Sequence, residues 1–322
     1  MKRRQVFASI LALAAAAGML GLVSPAYAVD DLRIIAPAKP GGGWDQTARS
    51  LADVMTAQGA KGVTVENVPG AGGTVGLAQL VDQEKGKENV LMVNGLVMVG
   101  AILTNKSPVD LSMTTPIARL TGEYEVIVVP ASSELKSVAD LVAMLKADPG
   151  SVAFGGGSAG GTDHILAGLV AKAAGADVSK LNYVPFSGGG EALAAVMGGH
   201  VVAGISGYSE WEGQIKSGEL RALAISSADR QPGIDIATLK EQGVDVDLAN
   251  WRAIVAPPGL DDAQKKSLLE SIDAAVKSDG WKKILADKKW TDLYLPGDDF
   301  TKLIAVENAR TTEVLKGIGL VQ

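Results

Sequence analysis

Three glycine-rich turns hold the residues best suited to chemistry in this chain. They occupy residues 40–45, 155–162 and 187–190, and each turn follows a predicted strand and precedes a predicted helix. In an open parallel sheet, ligands bind beyond the carboxyl ends of the strands. A helix that starts there offers unpaired backbone N–H groups and the positive end of its dipole, and glycine lets a ligand approach the backbone closely. The turns therefore predict an anion-binding site.

The polar residues of these turns favour a carboxylate over a phosphate. Ser158, Thr162 and Ser187 carry hydroxyls that can donate to a carboxylate. Cations are few, because Lys39 precedes the first turn and Arg49 lies a full turn inside the following helix. A highly charged phosphate usually recruits arginine or lysine, whereas neutral N–H and hydroxyl donors are sufficient for a carboxylate.

Four further residues near these turns have two open interpretations each. Asp45 is interpreted as the N-cap of its own helix rather than as a ligand contact, because a fixed carboxylate repels an anion. Trp44 either forms a wall of the pocket or packs between loops, and Tyr208 either offers a hydroxyl to the cleft or is structural. Arg252 pairs either with the ligand or with an acid such as Glu123, and we favour the acid.

Two sharper motifs overlap in the second turn, and neither is complete. Residues 155–160 satisfy G-x-G-x-x-G, but the next strand does not end in the acidic residue that a dinucleotide site needs. Residues 156–160 satisfy G-x-S-x-G, with Ser158 as the nucleophile of a serine hydrolase. The chain has two histidines, His164 and His200, and neither is placed as an obvious base for Ser158. With no cysteine, zinc and haem sites are disfavoured, and we expect no metal and no cofactor.

The first 28 residues predict a cleaved signal peptide. A basic start is followed by an apolar run from Val6 to Val23 and by an Ala-Tyr-Ala site that ends at Ala28. The alternative is a retained membrane anchor, since the run is near the shortest length that spans a bilayer. Loss of three basic residues changes the net charge from −6 to −9, and an acidic protein is a poor nucleic-acid binder.

The remaining 294 of the 322 residues are enough for about two domains. Strands and helices alternate in two series, which predicts an α/β fold of two doubly wound lobes with mainly parallel sheets. Two late amphipathic helices, near 262–278 and 300–318, are expected to pack back on the first lobe. We therefore predict two hinges, near 123–126 and 250–252. The predicted organisation is a signal peptide at 1–28, lobe 1 at 29–125 plus 251–322, and lobe 2 at 126–250.

Five segments of the chain resemble the substrate-binding proteins of tripartite tricarboxylate transporters, the TctC or Bug family. The first two are APxxPGGGWDxxAR at residues 36–49 and ENVPGAGG at residues 66–73, and their combination is specific. The others lie at residues 154–164, 183–189 and 218–224. The resemblance implies a type II periplasmic binding protein, a Venus flytrap whose lobes close on a carboxylate.

The resemblance also assigns residues to the ligand. The first-lobe loop of the family clamps one carboxyl group, partly through ordered water, which here implies Gly42, Gly43, Trp44 and Asp45. The second-lobe loops hold carboxyl oxygens, which here implies Ser158, Gly161, Thr162, Ser187 and Gly188. We expect the same cleft to include Gly72, Asn94 and Tyr208.

The first loop departs from many relatives, and this bears on the ligand. They carry Ser-x-Asp or Thr-x-Asp where this chain has Gly43-Trp44-Asp45, so one hydroxyl donor is replaced by glycine and a bulky ring follows it. This version looks closest to the tricarboxylate-type members, so citrate-like acids rank first and C4-dicarboxylates second.

The resemblance implies a periplasmic, monomeric protein that is not an enzyme and that docks on a membrane permease. The alternatives are ligand sensing for a receptor kinase and, less favoured, ester hydrolysis by Ser158.

Overall fold

The structure, a computed structural model, describes residues 31–186 and 188–322. The predicted signal peptide and Ser187 lie outside the described residues. Within them, ten strands and ten α-helices alternate along most of the chain.

The strands are short, apart from β4 and β9. Their bounds are β1 Arg33–Ala36, β2 Thr64–Asn67, β3 Val90–Gly95, β4 Thr115–Pro130, β5 Ala153–Gly156, β6 Asn182–Pro185, β7 Ala203–Gly207, β8 Leu220–Ile225, β9 Ala249–Ala256 and β10 Thr291–Pro296.

The helices lie between the strands and at the end of the chain. Their bounds are α1 Gly43–Ala57, α2 Thr74–Gln83, α3 Leu96–Thr104, α4 Val138–Ala147, α5 Thr162–Ala173, α6 Gly189–Met197, α7 Tyr208–Ser217, α8 Asp262–Lys277, α9 Asp279–Lys288 and α10 Gly297–Gly317.

Two sheets share one long strand. The first sheet has the order β2-β1-β3-β9-β4, with β10 also on β4, and the second contains β4-β7-β5-β6, with β8 also on β4. Three neighbouring strands are parallel in each sheet, β2-β1-β3 and β7-β5-β6, and the strands that pair with β4 are antiparallel to it. The predicted α/β fold of two lobes is thereby confirmed, with the first sheet in lobe 1 and the second in lobe 2, but both sheets are mixed and not mainly parallel as predicted, because the strands paired with β4 run antiparallel to it.

Strand β4 passes from lobe 1 to lobe 2 between Tyr124 and Glu125. It pairs with β9 as far as Tyr124, opposite Ala249, and from Glu125 onward it pairs with β7. A second connection leads from lobe 2 into β9, whose residues from Ala249 to Ala256 belong to the first sheet. The carboxyl groups at the start of the second half of β4 therefore lie at the junction of the two lobes.

Several elements were not predicted from the sequence. The first half of β4, α3, α7, α9 and β10 were missed, and the predicted strand at 126–129 is the end of the longer β4. Helix α3 has a nearly continuous apolar sequence, LVMVGAILT, because it is buried on most sides, so it carries no 3.6-residue period. Helix α10 packs on α3 and β4, as expected of a lobe 1 element, but it also packs on α5 of lobe 2.

A glycine contact brings α3 of lobe 1 against the loop that precedes α5 of lobe 2. A Cβ added at Gly100 would lie 1.9 Å from the carbonyl oxygen of Gly160. A Cβ added at Gly160, whose φ is +76°, would lie 2.5 Å from Cγ2 of Thr104. The two backbones touch directly, so neither position accepts a side chain without separating the two elements.

We expect Gly100→Ala to destabilise the protein by about 1–3 kcal/mol, because the new methyl group overlaps a backbone carbonyl that cannot move independently. Gly213→Ala is the matched control. Gly213 also lies inside a helix, and a Cβ there meets nothing within 4 Å. We expect it to stabilise the protein by about 0.5–1 kcal/mol through helix propensity. Urea denaturation followed by circular dichroism measures both, and equal effects of the two substitutions would contradict the contact.

Candidate ligand cleft

A cleft of about 630 Å³ lies between the two lobes at the carboxyl ends of the parallel strands. Its lobe 1 wall consists of the loops after β1 and β2, and its lobe 2 wall consists of the loops after β5, β6 and β7. Six of the residues predicted to bind the ligand line it: Gly42, Gly43, Trp44, Gly72, Ser158 and Gly188.

Helices that begin at the cleft have no side-chain cap. The N-caps of α1 and α6 are Gly42 and Gly188, which line the cleft and carry no side chain to accept a hydrogen bond from the first turn. By contrast, α4 and α8 begin with full capping boxes, built on Ser137 and Asp261. The first N–H groups of a helix need an acceptor. Those at the cleft therefore stay available to an anion, which also benefits from the helix dipole.

Asp45 is not the N-cap of α1, which corrects the prediction from sequence. It is the third residue of the helix, and its carboxylate reaches back and accepts a hydrogen bond from the Gly41 N–H at 2.8 Å. It also accepts from Arg49 and, at 2.8 Å, from the Asn67 side chain. Although burial opposes it, these hydrogen bonds hold the pKa of Asp45 below its ordinary value. Asp45 thus orders the first loop and does not line the cleft.

Four other predicted residues lie behind the cleft wall. Gly161 and Thr162 are buried at the start of α5, and Asn94 is fully buried at the end of β3. Among the described residues, neither the amide group of Asn94 nor the hydroxyl of Thr162 has a hydrogen-bond partner. The hydroxyl of Tyr208 donates to Glu212 at 3.2 Å and does not line the cleft.

Arg252 and Glu123 form a buried ion pair at the junction of the lobes, which confirms the favoured interpretation of Arg252. Glu123 also accepts a hydrogen bond from the Ser209 hydroxyl at 2.7 Å. The guanidinium group packs against Gly43 at the start of α1 and lies over the ring of Trp290, 5.0 Å from its centroid. Arg252 is only 4% exposed, yet it lines the cleft, and its Nη1 has no partner among the described residues.

Four acidic side chains line the lobe 2 side of the cleft, and sequence reasoning missed all of them as site residues. They are Glu191 on α6 and three further acids, Glu125 on β4, Asp163 on α5 and Glu210 on α7. Glu125 is 0% exposed, and neither of its carboxylate oxygens has a partner within residues 31–186 and 188–322. Asp163 accepts a hydrogen bond from the Gly157 N–H at 2.5 Å, and Glu210 accepts one from the Ser206 hydroxyl at 3.3 Å.

Glu125, Asp163 and Glu210 have raised pKa values. Burial raises the pKa of Glu125 well above its ordinary value, and the charges of Asp163, Glu123 and Glu210 raise it further. Burial raises the pKa of Asp163 to about 7. Glu210 is exposed to the cleft, yet desolvation and then the charge of Glu123 raise its pKa. Arg252 acts in the opposite direction on Glu125 and Glu210, but it does not outweigh these effects.

Ser158 and His164 do not form a nucleophile and base. The ring of His164 stacks on Tyr183 with centroids 4.0 Å apart, and its Nδ1 accepts a hydrogen bond from the Gly160 N–H at 3.3 Å. Burial lowers the pKa of His164 to about 4. Ser158 is exposed on the cleft wall. His164 thus packs as a neutral ring beneath the loop that presents Ser158.

The sequence profile of the "Tripartite tricarboxylate transporter family receptor" family matches residues 47–320. The chain belongs to this family. It is also 30% identical over 325 residues to protein BugT of Bordetella pertussis, an alignment that covers 99% of each chain.

Solved structures share the fold of this TctC-family chain. MatC from Rhodopseudomonas palustris, with bound malate, has a TM-score of 0.75 at 21% identity over 90% of this chain and 100% of its own. The protein Rpa4515 of R. palustris, with adipate, has a TM-score of 0.79 at 22% identity over 91% of this chain and 99% of its own. The likeness confirms the predicted fold of a periplasmic solute-binding protein.

Membership of the TctC family determines the class of protein. Its members are periplasmic solute-binding proteins and not enzymes, which confirms that prediction. In the part of the chain that the structure describes, no helix combines the length and hydropathy that a bilayer crossing requires.

The buried carboxyl of Glu125 predicts an unusual pH dependence of stability. Because its pKa is higher in the folded state than its ordinary value of 4.5, it favours folding at low pH, and this contribution is lost as pH rises through the folded-state pKa. We expect the effect of Glu125→Gln on the free energy of unfolding to be about 1–3 kcal/mol more stabilising near pH 8 than near pH 5. Thermal unfolding of the ligand-free protein at both pH values measures the difference.

Glu134→Gln is the control, because Glu134 is exposed and lies away from the cleft. It should show no such pH dependence. A Glu125→Gln effect of the same size at both pH values would mean that Glu125 is ionised in the folded protein throughout.

Proposed function

We propose that this chain captures a small carboxylate in the periplasm and delivers it to the membrane permease of a tripartite tricarboxylate transporter. One observation carries the proposal: uncapped helix starts from both lobes meet at a cleft lined by the buried guanidinium group of Arg252, whose Nη1 has no partner among the described residues. Backbone N–H groups, a helix dipole and an arginine are the standard partners of a carboxylate.

The proposed ligand contacts come from both walls. On lobe 1, the N–H groups at Gly42 and Gly43 and the ring of Trp44 would hold one carboxyl group beside Arg252. On lobe 2, Ser158 and the loop at Gly188 would close over the ligand, together with Ser187. Closure would be a hinge motion where β4 and β9 join the lobes.

The ranking that puts citrate first is weakened by the acids in the cleft. Glu125, Asp163 and Glu210 line the same cavity, and their ionised forms would repel a trianion. The structurally similar MatC was solved with bound malate and Rpa4515 with adipate, and both ligands are dicarboxylates. We therefore propose a ligand with fewer negative charges than citrate.

The proposal also includes export with cleavage after Ala28, a monomeric state and docking on permease subunits. The family supports transport. The alternative, in which the closed form reports to a receptor kinase, predicts a sensor kinase gene beside this one instead of permease genes.

The proposal predicts that at least one member of a carboxylate panel raises the melting temperature of the full chain and titrates in isothermal calorimetry. The panel consists of citrate, tricarballylate, malate, succinate and glutamate. No response to any carboxylate in a wider panel would overturn the proposal.

Ser158→Ala should leave the fold intact and weaken binding of the active carboxylate about tenfold, because one hydroxyl donor is lost. Ser132→Ala is the control, since Ser132 is exposed and lies outside the cleft. If Ser158→Ala leaves the affinity unchanged, Ser158 does not contact the ligand. If the protein hydrolyses an ester and Ser158→Ala abolishes that turnover, a hydrolase is favoured.

A further inference from the structure

Two buried groups of opposite character line the cleft, and each has polar atoms without a hydrogen-bond partner among the described residues. Glu125 offers two carboxylate oxygens and is 0% exposed, and Arg252 offers Nη1 and is 4% exposed. Buried polar groups are almost always hydrogen-bonded, and an unsatisfied one is costly. Such a pair indicates that the ligand brings both an acceptor and a donor into the cleft.

The donor that Glu125 requires differs from a carboxylate. Burial raises the pKa of Glu125, and the charges of three more carboxyl groups, Asp163, Glu123 and Glu210, raise it further. Arg252 is paired with Glu123, and among the described residues Glu125, Asp163 and Glu210 form no salt bridge. A group that is positive and donates hydrogen bonds relieves the repulsion among these acids.

A metal ion is a poor candidate for this position. Within the described residues, no three histidine, cysteine, aspartate or glutamate side chains are grouped closely enough to hold one. An organic cation needs no such convergence, because its N–H groups reach separate acceptors. The hydrogen bonds of Asp163 to Gly157 and of Glu210 to Ser206 leave further oxygens of both carboxylates for such a group.

Resting on the proposed function, we propose that the ligand is an amino carboxylate. Its carboxylate lies at the start of α1 beside Arg252, and its protonated amine lies against Glu125, with Asp163 and Glu210 around it. Glu125 is then the residue that determines specificity, because it distinguishes an amine from a second carboxylate at the same end of the ligand.

The competing arrangement keeps these acids protonated so that they donate to a second carboxylate of a dicarboxylate ligand. The raised pKa of Glu125 permits this at low pH. The two arrangements differ in proton balance: a dicarboxylate held this way takes up protons on binding, and an amine-bearing ligand does not need to.

Calorimetry of the full chain near pH 8 with ligands matched in length separates them. The probes are γ-aminobutyrate, succinate and butyrate, followed by the corresponding sets one carbon shorter (β-alanine, malonate, propionate) and one carbon longer (δ-aminovalerate, glutarate, valerate). In at least one set we expect the amino carboxylate to bind about tenfold or more tightly than either acid without an amine, since a buried charged hydrogen bond is at stake.

Glu125→Gln should lower the affinity for that amino carboxylate about tenfold or more and bring the dicarboxylate of the same length closer to it. Glu134→Gln should change neither affinity. If Glu125→Gln fails to fold, Glu210→Gln serves as the second variant, with a smaller loss of amine preference expected.

The outcomes distinguish the inference from the function on which it rests. A dicarboxylate that binds as tightly as its amino counterpart, with proton uptake seen as a buffer-dependent enthalpy, overturns the amine subsite and leaves carboxylate capture intact. Unchanged amine preference in both variants overturns the role of the acids. No binding of any carboxylate, with or without an amine, overturns the proposed function itself.

Discussion

The ion pair between Glu123 and Arg252 is the interaction on which the arrangement of the cleft depends. It joins β4 and β9 where the two lobes meet, and four elements pack around it. Gly43 at the start of α1 rests on the guanidinium group, and Ser209 in α7 donates to the carboxylate. Removing one member of a buried pair leaves an uncompensated charge, at a cost of about 3–5 kcal/mol. One contact thereby sets both the junction and the position of the Arg252 guanidinium group in the cleft.

The two walls of the cleft differ in their chemistry. Lobe 1 presents mainly backbone N–H groups at glycines, with Asp45 kept out of the cleft by its bonds to Gly41, Arg49 and Asn67. Lobe 2 presents acidic side chains, among which Glu125 is buried and has no hydrogen-bond partner in the described part of the chain. An anion fits the lobe 1 wall and is repelled by the ionised acids of the lobe 2 wall. A ligand that suits both walls therefore carries a negative charge at one end and a positive charge at the other.

The sequence predicted the glycine loops but not the acids, for a physical reason. Strand-turn-helix patterns are local, so the loops at Gly42, Ser158 and Gly188 were placed correctly, as were two α/β lobes. Glu125 lies in a strand whose length was underestimated, and only its pairing with β7 brings it beneath the cleft. Asp163 resembled an ordinary first-turn acid of α5. The charge of the lobe 2 wall depends on pairing between strands that are distant in sequence. Local spacing of residues along the chain does not reveal such pairing.

The glycine starts of α1 and α6 have a consequence for how such a protein changes over generations. A main-chain N–H is present in every residue except proline, so single substitutions rarely delete the donors at Gly42 and Gly188. A carboxyl group on the opposite wall disappears with one codon. At Gly42 and Gly188, where an added Cβ meets no atom closer than 3.5 Å, a substitution therefore keeps the donors, whereas one substitution at Glu125 changes the chemistry of the opposite wall.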